Sequence, residues 1–247
     1  MPNDAIDIYW APYSSFGPDL TSACIPIETL YDIASRNRVD GAKPNENFFN
    51  CPATADLFKH TLVVKNILNT KVRVQNGQVS PVDESEQQIK VEILRPPIIK
   101  DRIMLCYNHY VILYSSEPLT ATLTPSTFER TVSSQYGVPM SGRYDIGRWF
   151  RPMGAEFMLW PNVDMLHVPA HDSLFYVSLN TPKPIQLKQF YVTPALKDTA
   201  MGLVHNFSPD NPLKEFASLS SRYERFESME LNSHILQEIR SNLVGDK

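Results

Sequence analysis

The sequence predicts a mainly β fold, an antiparallel β-sandwich or jelly roll with a short N-terminal helix and C-terminal helices. Short apolar or alternating segments recur at about ten-residue spacing between positions 60 and 193, as is typical of sandwiches and barrels. The chain has 20 prolines against nine glycines, and proline is kept out of helix interiors and central strands. Helical patterns do not alternate with the strand patterns, so a parallel α/β sheet is not expected.

The composition is that of a folded chain with a substantial core. Of the 247 residues, 43% are hydrophobic and 20% are charged, which excludes disorder of the whole chain. We expect a sandwich domain over residues 1–193 and a helical extension over residues 194–247. The formal net charge of −4 disfavours general binding to nucleic-acid phosphates.

Neither a secretory signal nor a membrane segment is evident in the sequence. Residues 1–4 lack the positive charge that opens a secretory signal, and no apolar run approaches the roughly 20 residues that span a bilayer. Cys24, Cys51 and Cys106 are odd in number and widely spaced. We therefore expect a reduced, cytoplasmic setting in which all three are small buried hydrophobes.

The N-terminal part is predicted to contain a strand, a helix and a loop. Residues 5–12 alternate and are rich in β-formers, which indicates the first strand. After Pro26, four apolar residues follow the spacing i, i+3, i+4, i+7, which predicts a helix over residues 27–36. Residues 37–58 are expected to form a loop whose aromatic 48–52 stretch enters the core.

From His60 to Thr193 the pattern is almost wholly β. Turn signals such as Asn76-Gly77 separate the segments, and the longest segment is either one strand or a strand pair (103–114). The predicted strands are 61–65, 70–75, 89–94, 103–114, 119–123, 156–160, 165–168, 174–179 and 185–192.

The chain changes character after Pro194. A short helix is predicted over residues 195–204, and the sequence from 213 onward is charged and helical in propensity. The final helix carries an apolar stripe, and Asn232 or Ser233 is expected to cap it. We expect the stripe to dock on the sheet of the same chain, with a partner as the alternative. The stripe consists of Ile235, Leu236, Ile239 and Leu243.

The 142–152 segment is the strongest candidate for a functional site. Its eleven residues hold three arginines, three aromatics and two of the nine glycines, and arginine and aromatic side chains are enriched at binding sites. A structural interpretation is a strand–turn–strand that sends Tyr144, Ile146 and Trp149 into the core. In that interpretation Asp145 pairs with an arginine, either Arg143 or Arg148.

The functional interpretation of the same segment is a loop for a ligand or a partner. Guanidinium groups would bind a carboxylate or phosphate, and aromatic rings would supply stacking area. Single-stranded nucleic acid is a minor option, because the chain is acidic overall. The candidate binding residues are Arg143, Arg148, Trp149, Phe150 and Arg151.

His167, His171 and Asp172 form the one sequence cluster of metal-capable groups. In an extended segment the two imidazoles would lie roughly 13 Å apart, too far to share an ion unless Pro169-Ala170 turns the chain. No cofactor is the first expectation. The alternative is a cupin-like jelly-roll enzyme that binds one Fe or Zn through His167, His171 and a distant third ligand. Nucleophile-elbow and phosphate-loop motifs are absent from the sequence, so catalysis is not favoured.

Five short segments, in order along the chain, resemble an uncharacterised family of T4-like tailed phages, especially those of marine cyanobacteria. The resemblance implies a phage accessory or virion-associated protein, found in the infected host's cytoplasm or in the virion, without assigned catalytic residues. For function we expect a binding or assembly protein that takes a protein partner or self-associates, with no membrane. The segments are Ile8-Tyr9-Trp10-Ala11-Pro12, Asn50-Cys51-Pro52-Ala53, residues 142–152, Leu174-Phe175-Tyr176-Val177 and Glu238-Ile239-Arg240-Ser241-Asn242-Leu243.

Overall fold

The computed structural model confirms a mainly β chain with several antiparallel sheets and few helices. It describes residues 4–13, 26–37, 51–75, 78–82, 91–93, 103–107, 110–129, 131–154, 156–204 and 219–245. The strands are β1 Ile6–Tyr13, β2 Glu28–Thr29, β3 Thr61–Lys65, β4 Thr70–Gln75, β5 Gln78–Pro81, β6 Val91–Ile93, β7 Met104–Tyr107, β8 Tyr110–Ser115, β9 Thr120–Pro125, β10 Gly137–Pro139, β11 Gly142–Asp145, β12 Pro152–Met153, β13 Glu156–Leu159, β14 Met165–Val168, β15 Ser173–Leu179 and β16 Ile185–Gln189.

In the part of the chain that the structure describes, five α-helices accompany these strands: α1 Leu30–Arg36, α2 Pro52–Lys59, α3 Pro194–Val204, α4 Leu219–Ser228 and α5 Asn232–Arg240. The Thr29 hydroxyl caps α1 by accepting the Asp32 N–H at 3.1 Å, as N-terminal caps do. The expected loop over residues 37–58 is wrong at its end, where α2 begins. Pro52 occupies the start of α2, where its fixed φ and missing N–H favour a helix.

Most predicted strands match the structure, although the strand predicted over residues 185–192 ends at Gln189. The 103–114 stretch contains two strands, β7 and β8, which lie in different sheets. The Asn76-Gly77 turn lies outside the described residues. The sequence pattern missed β5 and β10, because strands of three or four residues show too little alternation to be recognised.

Two larger sheets build the sandwich. Sheet 1 has the order β12-β8-β1-β16 and sheet 2 the order β11-β9-β15-β3-β2. Two further sheets, of shorter strands, have the orders β10-β13-β7-β6 and β14-β4-β5. Among the described strands, β1 and β16 form the one parallel pair, with Ile8 opposite Leu187. On its other side β1 pairs antiparallel with β8, where Trp10 lies opposite Leu113.

The alternation of side chains along the strands places the main core between the two sheets. Ile8 and Trp10 of β1 belong to the same buried cluster as Leu62 and Val64 of β3. Successive strand residues point to opposite faces of a sheet. The residues next to these core residues therefore point outward, where they can pack against the helices on the outer faces of the sandwich.

The C-terminal helices cover the outer face of sheet 1. Tyr9 and Ala11 of β1 share a second buried cluster with Ile235 and Ile239 of α5. Docking of the final helix on the sheet of its own chain is therefore confirmed. On the outer face of sheet 2, Val63 packs in a third cluster with residues of α1 and α2. The layers thus run helices, sheet 1, sheet 2, helices.

The predicted cap of the final helix is wrong. Its N-cap is Leu231, which makes no side-chain cap bond. The Asn232 side chain instead accepts a 2.7 Å hydrogen bond from the Tyr114 hydroxyl of β8. Asn232 therefore links α5 to sheet 1 instead of capping the helix, because its side chain binds the buried Tyr114 hydroxyl.

The expectation of buried cysteines is also corrected. Cys51 is exposed and Cys106 is half-buried, while Cys24 lies outside the described residues. Cys51 precedes the first turn of α2, and this position faces solvent. Among the described helices, none has the length and apolar character required to cross a lipid bilayer.

Candidate functional site

The 142–152 segment crosses from one sheet to the other. Its first part is β11, at the edge of sheet 2 beside β9, and its end enters β12, at the edge of sheet 1 beside β8. The strand–turn–strand interpretation is confirmed, with its two strands in different sheets. Residues 146–151 form the connection, and both ends of that connection are held by strand pairing.

The connection is anchored close to the chain between β8 and β9. Ile146 is buried, its N–H donates to the Leu119 carbonyl at 2.9 Å, and its own carbonyl accepts from the Ser115 N–H at 2.9 Å. A Cβ at Gly147 would stand 2.6 Å from the Leu119 nitrogen and also contact the Glu117 carbonyl. Gly147 is thus required by this close approach of two backbones.

The three aromatic residues of the segment have different environments. Phe150 is fully buried, with ring centroids 5.4 Å from Tyr114 and 6.3 Å from Phe190. It belongs to the core beneath the C-terminal helices, so it offers no ring to a partner. Trp149 and Tyr144, which were expected in the core, are half-buried. Tyr144 packs against the main core cluster and Trp149 against the cluster beneath the C-terminal helices.

Trp149 contacts α4 through both its ring and its N–H. The ring stacks on Tyr223, with centroids 4.3 Å apart and planes inclined by 26°. The indole Nε1–H donates to Glu227 Oε1 at 3.0 Å. Tyr223 and Glu227 are four residues apart and therefore lie on one face of the helix.

Two arginines complete this contact, which we call the clasp: Arg148, Trp149 and Arg151 with Tyr223 and Glu227. The Arg148 guanidinium forms an ion pair with the second carboxylate oxygen of Glu227. The Arg151 guanidinium donates to the Tyr223 hydroxyl. Three side chains of the segment thus bind two side chains of one helical face.

Arg151 also links the clasp back to β11. Its guanidinium carbon lies 5.4 Å from the centroid of the Tyr144 ring, within the range of a cation–π contact. Burial raises the pKa of the Tyr144 hydroxyl, and the positive charge of Arg151 opposes that change. The Tyr144 phenol is therefore neutral, and its ring makes the cation–π contact with Arg151.

The expected pairing of Asp145 with Arg143 or Arg148 is wrong. Arg148 pairs with Glu227, and Asp145 Oδ1 is buried without a hydrogen-bond partner among the described residues. Arg143 is exposed on β11, and no ion pair to it is present in the described part of the chain. Of the five candidate binding residues, three thus form the clasp, one is exposed and one lies in the core.

The sequence pattern did not reveal Tyr223 and Glu227 as members of the site. Their separation of four residues was the available signal, since it predicts a shared face on a helix. Nothing in the local sequence connects that face with a segment more than 70 residues earlier, because long-range pairing leaves no periodic trace.

The predicted metal residues lie around the turn between β14 and β15. His167 is half-buried on β14, while His171 is exposed with φ +70°. The turn is closed by the Asp172 N–H and the Pro169 carbonyl at 3.4 Å. The Asp172 carboxylate accepts the backbone N–H groups of Val132 and Ser133 at 3.0 and 2.9 Å, so it caps the 3-10 helix Ser133–Gln135.

The described residues contain no group of three His, Cys, Asp or Glu side chains suited to hold a metal ion. Both Asp172 oxygens already accept hydrogen bonds. The Asp172 carboxylate is therefore not free to bind a metal ion together with His167 and His171. Metal binding here stays a prediction, and elemental analysis of the purified protein is the measurement that tests it.

Several buried polar atoms surround Asp172. Asn66 donates its N–H to the Asp172 carbonyl at 2.8 Å, and its side-chain N–H groups donate to the Val168 and Pro169 carbonyls. The oxygen Asn66 Oδ1 and the Tyr107 hydroxyl are buried without a hydrogen-bond partner in the described chain. Burial, and then the negative charge of Asp172, raises the pKa of Tyr107, which keeps that phenol neutral.

Two adjoining cavities open beside α2, at the opposite end of strands β3 and β15. Their volumes are about 320 and 430 Å³, and both are lined by Asp56, His60 and Pro182. The His60 ring lies between two backbone carbonyls, with Nδ1 2.9 Å from Asp56 O and Nε2 3.0 Å from Lys183 O. His60 therefore joins the end of α2 to the turn before β16, a structural role.

No protein-family model matches the chain, and no curated protein matches it either.

Proposed function

We propose that this protein is a non-catalytic binding or assembly protein, of the phage accessory or virion-associated kind that the sequence resemblance implies. The observation that carries the proposal is the clasp, in which Arg148, Trp149 and Arg151 bind the Tyr223–Glu227 face of a helix. The segment thus has the chemistry and the geometry to recognise a protein surface through side chains.

The rigidity of the segment supports this function. Its two ends pair in different sheets, and Ile146 and Phe150 are fixed in the core. A surface held in its binding conformation loses little conformational entropy on association. Arginine and tryptophan on such a support are the side chains that contribute most to protein interfaces.

Charge supports a protein partner with acidic groups. Arg143 is exposed on β11, and the side chain of Arg148 is 53% exposed even within the clasp. Planar guanidinium groups pair with carboxylates through two parallel hydrogen bonds. The net charge of −4 makes nucleic acid a poor target for the whole chain.

The composition of the segment favours binding over catalysis. Residues 142–152 contain no serine, cysteine or histidine, and nucleophilic or acid–base catalysis in proteins relies mainly on such groups. The acidic side chain within it, Asp145, has a buried oxygen. The cupin-like metal enzyme would use His167 and His171, outside this segment, and stays the alternative.

The test uses the full chain and the Arg143→Glu variant, which reverses a charge outside the clasp. We expect self-association in sedimentation velocity, or incorporation into phage particles detected by antibody, to be lost in Arg143→Glu. Arg73→Glu, at an exposed position of β4, is the matched control and should behave like the wild type.

A wild-type protein that stays monomeric at every concentration and is absent from purified particles would contradict the proposed function. If the wild type and Arg143→Glu associate equally, the protein would still be a binding protein, but the 142–152 segment would be rejected as its binding surface.

A further inference from the structure

Strand β16 forms one edge of sheet 1, and the 142–152 segment forms the opposite edge through β12. In the described part of the chain, β16 has five residues, more than β12, β11 or β2, which are the other edge strands of the two larger sheets. Edge strands present unpaired backbone groups, and proteins commonly keep such strands short to prevent pairing with other chains. Among these four edges, β16 is therefore the one best suited to receive a further strand.

The hydrogen bonds to β1 determine which backbone groups of β16 point outward. The Pro184 carbonyl accepts a β1 N–H at 2.8 Å, and the Phe190 N–H donates to a β1 carbonyl at 3.0 Å. The register of this parallel pair directs the N–H and C=O groups of the even-numbered β16 residues to β1. Those of Ile185 and Leu187 therefore point away from β1, and the described residues make no backbone hydrogen bond to them on that side.

The C-terminal residues of the chain already pair with the far end of this edge. Phe190 forms an antiparallel bridge with Leu243, and the Val244 N–H donates to the outward-facing Gln189 carbonyl at 2.9 Å. Gly245 has φ +97°, which lies outside the β region, so the extended segment ends there. Among the described residues, the edge is thus paired at its C-terminal end and open over the first residues of β16.

The side chains along the open edge alternate in character. Ile185 and Leu187 are half-buried and pack against the main core between the two sheets, whereas Gln186 is exposed. A strand added beside β16 would direct alternate side chains to the same margin of the core, because side chains of paired strands share their faces. Apolar side chains there would gain burial, and the one between them would face solvent. The edge therefore fits a segment with the pattern apolar–polar–apolar.

The larger of the two cavities beside α2 lies at the start of this edge. Its volume is about 430 Å³, and Ile185 is one of its lining residues. Its charged lining groups are Asp32, Asp56 and Lys59. The Lys59 ammonium lies 5.3 Å from the centroid of the Tyr31 ring, and the Asp56 side chain is 70% exposed. Two carboxylates against one ammonium favour a basic side chain in this cavity.

We propose that the open edge of β16 binds an extended segment of a partner protein as an additional antiparallel strand, with the pattern apolar–polar–apolar followed by a basic residue. The added strand continues the line of residues 242–244, and its C-terminal basic residue reaches the cavity. Backbone bonds to Ile185 and Leu187 supply affinity, and the alternate side chains supply specificity. The site lies at the edge of sheet 1 opposite the 142–152 segment, so it is a second binding surface beyond the proposed function.

The experiment measures hydrogen exchange of the β16 amides by NMR in the full-length protein. The probe is the peptide Thr-Ile-Thr-Val-Lys-Lys, acetylated and amidated, which follows the proposed pattern. Before the peptide is added, the amides of Ile185 and Leu187 should exchange fast, whereas those of Gln186 and Lys188, which face β1, should be protected. At saturation with peptide, exchange at Ile185 and Leu187 should slow about tenfold or more, with no change at Gln186 and Lys188.

Two N-methylated peptides separate strand addition from other kinds of contact. Methyl groups on the isoleucine and valine nitrogens remove the N–H groups that would face β16, and this peptide should not protect the edge amides. A methyl group on the nitrogen of the threonine between them faces away from β16, so this matched control should bind like the unmodified peptide. Asp56→Asn removes a carboxylate from the cavity and should weaken binding severalfold.

Low affinity of a short peptide is excluded by joining the same sequence to the C-terminus through a short glycine–serine linker, which raises its effective concentration to about the millimolar range. Absence of protection at Ile185 and Leu187 in this fusion would overturn the inference. Equal protection by the peptide methylated on isoleucine and valine would also overturn it, as would protection of both amides before any peptide is present. The proposed function is tested separately through Arg143, and its result does not depend on the β16 edge.

Discussion

The indole N–H of Trp149 donates a 3.0 Å hydrogen bond to Glu227, which lies 78 residues further along the chain. This bond joins the connection between the two sheets to a helix of the C-terminal extension. The same carboxylate pairs with Arg148, and the tryptophan ring stacks on Tyr223. The extension and the sandwich are therefore joined by specific side-chain contacts in addition to apolar packing.

Trp149→Phe should loosen α4 without unfolding the protein. Phenylalanine keeps a ring for Tyr223 but removes the N–H donor to Glu227, which we expect to cost about 1 kcal/mol. Hydrogen exchange of α4 should accelerate while that of α5 is unchanged. Equal acceleration in both helices would mean that α4 and α5 open as one unit.

Gly147→Ala should destabilise the protein because the new methyl group meets backbone. Its Cβ would lie 2.6 Å from the Leu119 nitrogen, and relief requires displacement of one of the two chain segments, at about 1–3 kcal/mol. Gly142→Ala is the matched control, since its Cβ would first meet the Tyr144 ring at 3.1 Å. Urea unfolding of both variants measures the difference, and equal stabilities would contradict the backbone constraint.

Tyr107→Phe and Tyr114→Phe should have different effects on the free energy of unfolding. The Tyr107 hydroxyl is buried without a partner in the described chain, so its removal should leave the free energy of unfolding unchanged or raise it by about 1 kcal/mol. The Tyr114 hydroxyl donates to Asn232 at 2.7 Å, so its removal should lower that free energy by about 1 kcal/mol. A clear loss of stability in Tyr107→Phe would show that its hydroxyl binds an ordered water.

The Glu28 carboxylate should make stability depend on pH in the acid range. Its hydrogen bond with Arg36 lowers its pKa below the usual 4.5, and partial burial opposes that change. A lowered folded-state pKa stabilises the protein above pH 4.5, and the stabilisation is lost as the pH falls through the folded value. The melting temperature of the wild type should therefore exceed that of Glu28→Gln at neutral pH, with the gap closing in acid.

Arg36→Ala serves as the second variant for this prediction. It removes the guanidinium that lies 2.6 Å from the Glu28 carboxylate. The gap in melting temperature between the wild type and Arg36→Ala should therefore vary with pH much as the gap for Glu28→Gln does, although Lys65 remains 3.4 Å from Glu28. A gap in melting temperature that is constant with pH would exclude the carboxylate as its cause.

Cys51 should be the faster-reacting of the two described cysteines. The backbone N–H groups of Thr54 and then Ala53 lower the pKa of its thiol below 9.0, and the residue is exposed whereas Cys106 is half-buried. Alkylation follows the thiolate fraction. Mass spectrometry of iodoacetamide labelling against pH should give a rate midpoint below 9.0, and Cys51→Ser should remove that fast phase. A midpoint at or above this value would contradict the effect of the helix terminus.

The sequence predicted those features that depend on local pattern. The strands β4 and β14 follow the alternating segments residue for residue, because burial of one face imposes a period of two. Helix α5 follows from an apolar stripe at helical spacing. Helix α2 was missed because the sequence pattern assigns residues 37–58 to one loop, although Pro52 at the start of the helix was a usable signal.

Which side chains of the 142–152 segment meet the core and which meet α4 was decided by the tertiary structure alone. Phe150 and Trp149 are adjacent aromatics with the same local propensity, yet one is fully buried and the other half-buried against Tyr223. The parallel pairing of β1 with β16 is equally remote in sequence. Backbone preferences act over a few residues and leave a periodic record, whereas the partner of a side chain depends on which distant elements the packed layers bring beside it.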